Sequence, residues 1–543
     1  MTSIARSGLN DSNLTDALAR TAWTCLVAAA ILLGTFFRFW HLAEHGFWGD
    51  EGITALHAAG HTEGDVLRLL GGVRPVPASA VNALRLPGAS GPVDVVRALA
   101  AEDAWHPPFY YVLVQGWERV AGTSPARLRL LSALISLLLL PAVFWLCVEL
   151  FESRTVAWTA VAIAAISPFN VEYAQQAREY ALWGVFTVVA GAVLLRALAS
   201  QRRSWWIAYA VLTALGFYTH TFYAMVLCGH AAYVVGLRVK GDRAALPPFL
   251  VAAGVGVLAS LPWYAVIFES LRHKGAHGFF PQDVKGAVYA WIVALSSPFV
   301  DLEFLSLKYF VAVGGALLLE IVAFVALVRS TRFAQWWFAV SLAASTLLLQ
   351  IGNFGFTDEP RYLTPGLLAV EIAVAWLLGS TIAGTRRERS RWGSGVALAV
   401  FAAVVAFGAA DCFARARTPI WWTNTYGAPL ARLAARIDAG SPNPLVVGQP
   451  RDWEVVTDLA SLLRPTDQLS LSTAVLRSQA SPPRPAQRAF LFSRYGDLAA
   501  SVSAWAPVHP IDVEVPRFGY GLIEARRTKQ PVQRVTWLWT VGG

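Results

Sequence analysis

Charge is scarce in this 543-residue chain. Asp, Glu, Lys and Arg make up 15% of it, against 56% hydrophobic residues and a mean hydropathy of +0.48. A water-soluble domain carries roughly a quarter charged residues, so an ordinary soluble enzyme is excluded. Cysteine is sparse too. Cys25, Cys147, Cys228 and Cys412 are scattered, three of them inside apolar runs, which offers neither metal-ligand spacing nor a disulfide framework. The first apolar run has no small-residue cleavage site and exits through the aromatic "FFRFWHL", so it reads as an uncleaved signal anchor. No internal repeat stands out. The stretches between apolar runs on the basic side are only about 5–15 residues long, too short for a nucleotide-binding domain.

Long apolar runs are what the chain has in abundance, many of about 17–22 residues, the length that crosses a bilayer core of about 30 Å. The net charge of +9 is not a nucleic-acid signature. Much of the Lys and Arg falls in short loops, "LRALASQRRS", "LRVKGDR", "VRSTR" and "GTRRERSR", the positive-inside pattern of cytoplasmic loops. With the N-terminus inside, spans are expected near 21–43, 127–149, 155–171, 179–197, 205–219, 221–238, 246–268, 306–328, 334–352, 362–383 and 392–411. The fold class is therefore an α-helical polytopic membrane protein of about 11 transmembrane helices, ending outside. Residues 107–122 would reach only about 24 Å as a helix, and crossing there would place "SQRRS" and "TRRERS" outside. They are expected as a juxtamembrane helix on the surface.

Around that membrane domain (21–411) lie a cytoplasmic tail (1–20) and two extracytoplasmic regions. The loop 44–106 carries two amphipathic stretches, "DVLRLL" and "PVDVVRALA". Residues 412–543 read as a small α/β domain, with strands at "PLVVGQ", "RAFLFSRY" and "RVTWLWTV" and helices at "APLARLAARIDAG" and "DWEVVTDLASLLR". The inferred location is a bacterial inner (plasma) membrane.

The outer loops hold the titratable groups. The first has Asp50 and Glu51 in "FWGDEG", then Glu102, Asp103 and His106 in "EDAWHPPFYY". The second, "SPFNVEYAQQAREYAL", has Glu172, Tyr173, Arg178, Glu179 and Tyr180. His220 follows in "YTHTFY". The 269–305 loop has His273, Lys274 and His277, and "GFTDEPRYLTP" has Asp358, Glu359, Arg361 and Tyr362. Each loop alone is ordinary; together they suggest a site at the membrane interface.

Read in order, "GFWGDEG", "HPPFYYVL", "SPFNVEYAQQAREYAL", "YTH" and "EPRYLTP" resemble the GT-C glycosyltransferases, in the branch of the protein O-mannosyltransferases and the lipid A aminoarabinose transferase. The resemblance covers about residues 20–410, most strongly 45–225, and does not reach the C-terminal domain. It implies transfer of a sugar from a polyprenyl-phosphate carrier to a protein, lipid or glycan acceptor outside the membrane, with no nucleic acid involved. By that resemblance Asp50 is the general base and Glu51 its adjacent acid, the two catalytic candidates. His106, Arg178, Tyr180, Arg361 and Tyr362 are candidate phosphate or sugar contacts. Glu172, beside Tyr173, is a second acid for a sugar hydroxyl or a cation, and His220 sits at the outer boundary as a ligand or a core histidine. A divalent cation is neither required nor excluded, and no other cofactor is indicated.

The chain departs from the aminoarabinose branch in two places. Ile53 stands where a basic residue follows the Asp-Glu pair, and His106 stands where a lysine precedes the proline. Neither sugar nor acceptor carries over. A transporter or flippase of lipid-linked sugars is the rival class, but transporters place ionisable residues near the midplane, whereas here they cluster at the outer ends of the spans. A non-catalytic assembly protein is the third reading.

Overall fold

The computed structural model describes residues 3–44, 47–274, 284–300, 307–351, 360–384, 391–417, 427–478, 488–494, 497–504, 506–516 and 532–541. His277, Asp358 and Glu359 lie outside them. The chain divides into two compact units. One takes Met1–Trp40, Ser132–Ala265 and Lys274–Ala416; the other takes His41–Leu131, Val266–His273 and Arg417–Gly543.

The first unit is helical. Every range expected to span is helix, from Ser3–Phe39 to Arg391–Ala416. Among the described residues seven helices are long and apolar enough to cross a membrane, or eight if the bent pair Arg154–Ile166 and Pro168–Ala174 is one span. Two of the expected spans, Arg203–Thr219 and Tyr223–Val239, have 17 residues each and reach about 26 Å. The 269–305 loop, read as bare loop, contains the helix Val284–Ser296.

The expected span 155–171 is not continuous. It bends by 58° between Ile166 and Pro168, because Pro168 has no N–H to give the preceding turn. The freed carbonyls are taken up by side chains. Arg38, fully buried, donates to the oxygens of Ala165 and of Ala164 (3.1 Å) and to Ser136 Oγ (3.1 Å). Asn170 Nδ2 donates to Ala164 O (3.2 Å) and to the Glu371 carboxylate (2.9 Å). Gly34 permits this, since any side chain there would strike the Ala165 carbonyl. An intramembrane Arg and Glu are thus spent on satisfying a break in a helix, as apolar surroundings demand.

The second unit is a six-stranded sheet with helices on both faces. Its strands are β1 (Val76–Pro77), β2 (Leu445–Val447), β3 (Gln468–Ser470), β4 (Ala489–Phe492), β5 (Val508–Pro516) and β6 (Val532–Val541), in the order β1-β3-β2-β4-β6-β5. The three central strands run parallel; β1 and the β5–β6 ribbon close the two edges antiparallel. Alternation along β2 shows why both faces are covered. Val446 joins the core with Leu433, Leu459 and Phe490, while Leu445 and Val447 join the one with Leu491 and Val502. The sheet is not made by the C-terminal region alone, because β1 comes from the 44–106 loop and pairs with β3.

Candidate functional site

The second unit positions the "FWGDEG" motif. Helix Gly49–Ala58 begins after extended Trp48 with no side-chain cap, so Asp50 and Glu51 sit in its first turn, where carboxylates are favoured. Glu51 points into the protein and is fully buried. Its two oxygens accept from Arg129 Nε (2.8 Å) and Nη2 (2.6 Å), and Arg129 also donates to Leu42 O (2.8 Å). This bidentate pair ties the motif to the helix Pro125–Leu137. Asp50 is left half-buried on the other side of the same turn.

What faces that turn comes from the C-terminal region. Helix Trp453–Ala460 packs on the motif helix and presents Glu454 and Asp458, one turn apart on one face. The Glu454 carboxylate lies against the α-carbon of Gly49, so closely that a side chain at that position would overlap it. Asp458 is buried and accepts from Arg85 Nη2 (2.7 Å). Burial pushes the Glu454 carboxyl up to about 7, with Asp458 and Asp50 adding to the rise and Arg494 and Arg85 opposing it. Burial pushes Asp458 up to about 6, against the pull of Arg85 and with Glu51 and Asp50 adding. Both carboxyls beside Asp50 are thus shifted toward their neutral forms. Sequence reasoning missed Glu454, Asp458, Arg85 and Arg129. The only local signal was the i, i+4 acid pair in "DWEVVTDLASLLR".

His106 lies in the same unit. Its Nδ1 donates to the Asp103 carboxylate at 2.7 Å, and its ring is 6.3 Å from Tyr111, which is in turn 6.2 Å from His57 on the motif helix.

The first unit gathers most of the remaining candidates. After the break at Pro168 and the turn through Gln175–Glu179, helix Tyr180–Ser200 starts at Tyr180. Gln175 Nε2 holds that turn to the end of the first helix through Phe37 O and Trp40 O. Tyr180 is the hub. Arg178 Cζ lies 5.8 Å and Arg361 Cζ 5.5 Å from its ring centre, both in cation–π range. Tyr173, His220 and Tyr362 surround it at 5.3, 5.7 and 6.4 Å. His220 stacks flat on Trp183 at 4.0 Å, and its Nδ1 accepts from Phe222 N (3.0 Å), which leaves Nε2 as the protonated nitrogen of the neutral ring. The buried Tyr180 hydroxyl and Trp183 Nε1 have no hydrogen-bond partner among the described residues. Glu172 pairs with Arg415.

Six candidates from three separate loops thus form one cluster of cations and aromatics, within which the buried Glu179 carboxylate accepts from Arg178 Nη2 at 3.3 Å; Glu172 belongs to the same unit, and Asp50, Glu51 and His106 to the other. Among the described residues no group of three His, Cys, Asp or Glu is placed to hold a metal ion.

Residues 105–265 match the model of the dolichyl-phosphate-mannose-protein mannosyltransferase family. None of the curated proteins matches in sequence. Among solved structures, ArnT from Cupriavidus metallidurans in the apo state is similar at TM-score 0.54 and 15% identity, over 96% of this chain and 98% of that one. The same protein bound to undecaprenyl phosphate gives TM-score 0.50 at 14% identity, over 96% and 98%. The oligosaccharyltransferase AglB from Archaeoglobus fulgidus, in complex with an inhibitory peptide and a dolichol-phosphate, gives 0.48 at 12%, over 88% and 71%. The fold is that of the GT-C membrane glycosyltransferases, the superfamily to which the five motifs pointed.

Proposed function

We propose that this chain, built on the GT-C fold, moves a hexosyl or pentosyl group from a polyprenyl-phosphate carrier to an acceptor hydroxyl on the extracytoplasmic side of the membrane. The observation that carries the reading is the pair of guanidiniums at Tyr180, in a cluster where a buried hydroxyl and an indole N–H have no partner among the described residues. Arg is suited to the departing phosphate by its planar fork, and unpaired buried donors call for an acceptor. The undecaprenyl phosphate held by the ArnT relative is a ligand of that kind.

In the proposed step the acceptor oxygen forms a bond to the anomeric carbon and gives its proton to the Asp50 carboxylate. The bond from that carbon to the phosphate oxygen breaks, and its electron pair leaves with the polyprenyl phosphate. Arg178 and Arg361 offset the charge that appears there. Tyr180, Tyr362, Tyr173 and His220 supply the faces and donors that hold the sugar and headgroup. Glu51 acts by fixing the turn that carries Asp50, and His106 adds a donor held in place by Asp103. Glu172 remains a candidate for a sugar hydroxyl.

Purified full-length protein should transfer sugar from a polyprenyl-phosphate donor and not from a nucleotide sugar; direct use of a nucleotide sugar overturns the reading. Sidedness has its own check. A phosphatase fused after residue 420 should be active, and an inactive fusion contradicts the placement of the C-terminal domain.

A further inference from the structure

Several arginines of the second unit are neutralised by a nearby acid. Arg68 meets Asp65, Arg85 meets Asp458, Arg129 meets Glu51, Arg451 meets Asp497 and Arg494 meets Asp452. Two arginines on one helix are not paired in this way. Helix Gly427–Gly440 buries Leu430, Leu433 and Ile437 in the sheet core and turns Arg432 and Arg436 outward, one turn apart on the same face. Like charges at that spacing repel. The helix's own acid, Asp438, is engaged with Arg464. Neither Arg432 nor Arg436 has an ion pair among the described residues.

These two guanidiniums line a cavity of about 630 Å³ with Ala435, Asp512, Val513 and Arg534. That is the size of a small-ligand site. The opposite wall is the β5–β6 ribbon, whose register shifts between Ile511 and Val513. The irregularity falls at Asp512, and such breaks in a ladder re-aim a side chain. Asp512 accepts from the Thr536 hydroxyl, which fixes its carboxylate. The lining therefore carries Arg432 and Arg436, neither with an ion pair among the described residues, with Asp512 and Arg534 across from them.

We infer that this cavity binds a saccharide bearing a carboxylate or phosphate group. The arginines take the anion as bidentate donors. Asp512, which can only accept, takes sugar hydroxyls. A simple anion site has no use for Asp512, whose charge opposes the ligand's; a hydroxylated anion does. That this saccharide is the acceptor of the transfer rests on the function proposed above, whereas the site itself does not.

Binding is measured with full-length protein in nanodiscs of zwitterionic lipid, using trigalacturonate as the probe, maltotriose as its neutral counterpart and inorganic phosphate as the bare anion. Trigalacturonate should bind and weaken with added salt, maltotriose should not register, and phosphate should bind at least about tenfold more weakly than trigalacturonate. The double variant Arg432→Ala, Arg436→Ala, whose side chains are exposed, should melt like the wild type and lose about tenfold or more of trigalacturonate affinity. Asp512→Asn should lose discrimination between trigalacturonate and phosphate. Equal binding by wild type and the double variant overturns the site. Equal binding of phosphate and trigalacturonate overturns the saccharide assignment, as does loss of trigalacturonate binding in nanodiscs containing phosphatidylglycerol, which would make the ligand a lipid headgroup. None of these readouts needs turnover, so they stand or fall apart from any result with Asp50→Asn.

Discussion

The two units concentrate charges of opposite sign. Around Tyr180 the first unit gathers Arg178, Arg361 and His220 among aromatic rings. Around Gly49 the second gathers Asp50, Glu51, Glu454 and Asp458, with arginines only behind the ones that are fixed. In the proposed reaction these are complementary tasks, since a departing phosphate needs donors and an acceptor hydroxyl needs a base. The construction also differs. The cationic cluster is assembled from loops that end apolar helices, and aromatic faces together with the Arg178–Glu179 pair hold it. The acidic cluster is assembled from segments some 400 residues apart, and buried ion pairs hold it.

The strongest way to break this division is to remove one charge from each side. Asp50→Asn keeps the size and most hydrogen bonding but removes the basic lone pair. Turnover should fall by about 10²–10⁴-fold, while binding of undecaprenyl phosphate stays as it was. Arg361→Ala should show the opposite emphasis, with undecaprenyl phosphate bound about tenfold or more weakly through a lost charge-assisted contact. Two variants that lose binding and turnover in the same ratio would dissolve the distinction.

Next in size is the contrast inside the motif. Glu51 and Arg129 are both fully buried. Glu51→Gln strands the guanidinium and should cost about 3–5 kcal/mol of stability, read as an early melting transition. Asp50→Asn should melt within about 0.5 kcal/mol of wild type. Adjacent acids would thus divide into one that acts and one that holds. An unchanged melting transition in Glu51→Gln would remove the positioning role given to it.

How far the sequence foretold these clusters depends on the distance between partners. Hydropathy and loop charge located the long apolar helices of the first unit, because a span is a local property, but not the helix Val284–Ser296. The bend at Pro168 was visible only as a proline; that Arg38 and Asn170 would take the freed carbonyls was not, since Arg38 lies about 130 residues upstream. Arg178, Tyr180, His220 and Arg361 were legible as loop-end polar groups, and the fold supplied their meeting at one ring. In the second unit three strands were read, yet β1 and β3 are too short to show alternation and the prolines at Pro510 and Pro516 disguised β5. Glu454 could not have been assigned to Asp50, because nothing near either residue encodes the contact with Gly49.

That contact makes the third prediction. If Glu454 holds the proton beside Asp50, its carboxyl should appear in infrared difference spectra as a protonated group titrating near pH 7 and vanish in Glu454→Gln. Asp50→Asn removes a neighbouring negative charge, so the Glu454 transition should move to lower pH. A merely buried carboxyl would stay where it was, and the coupling would be refuted.

The smallest effect is expected where an acid of the second unit stands alone. Glu118, on helix Phe109–Ala121, is 3% exposed, and neither carboxyl oxygen has a hydrogen-bond partner among the described residues. Burial pushes it from an ordinary 4.5 up to about 8. Because the folded value is the higher one, its favourable contribution is complete below pH 4.5 and drains away as pH rises through 8. Glu118→Gln has no such titration. Its melting curve should match the wild type at pH 5 and exceed it at pH 9 by about 1–2 kcal/mol, the cost of an unsatisfied buried group. A wild-type curve that does not weaken relative to Glu118→Gln over that interval would mean that Glu118 is hydrated or paired, and the helix Phe109–Ala121 would then be seated differently from the way its buried tyrosines indicate.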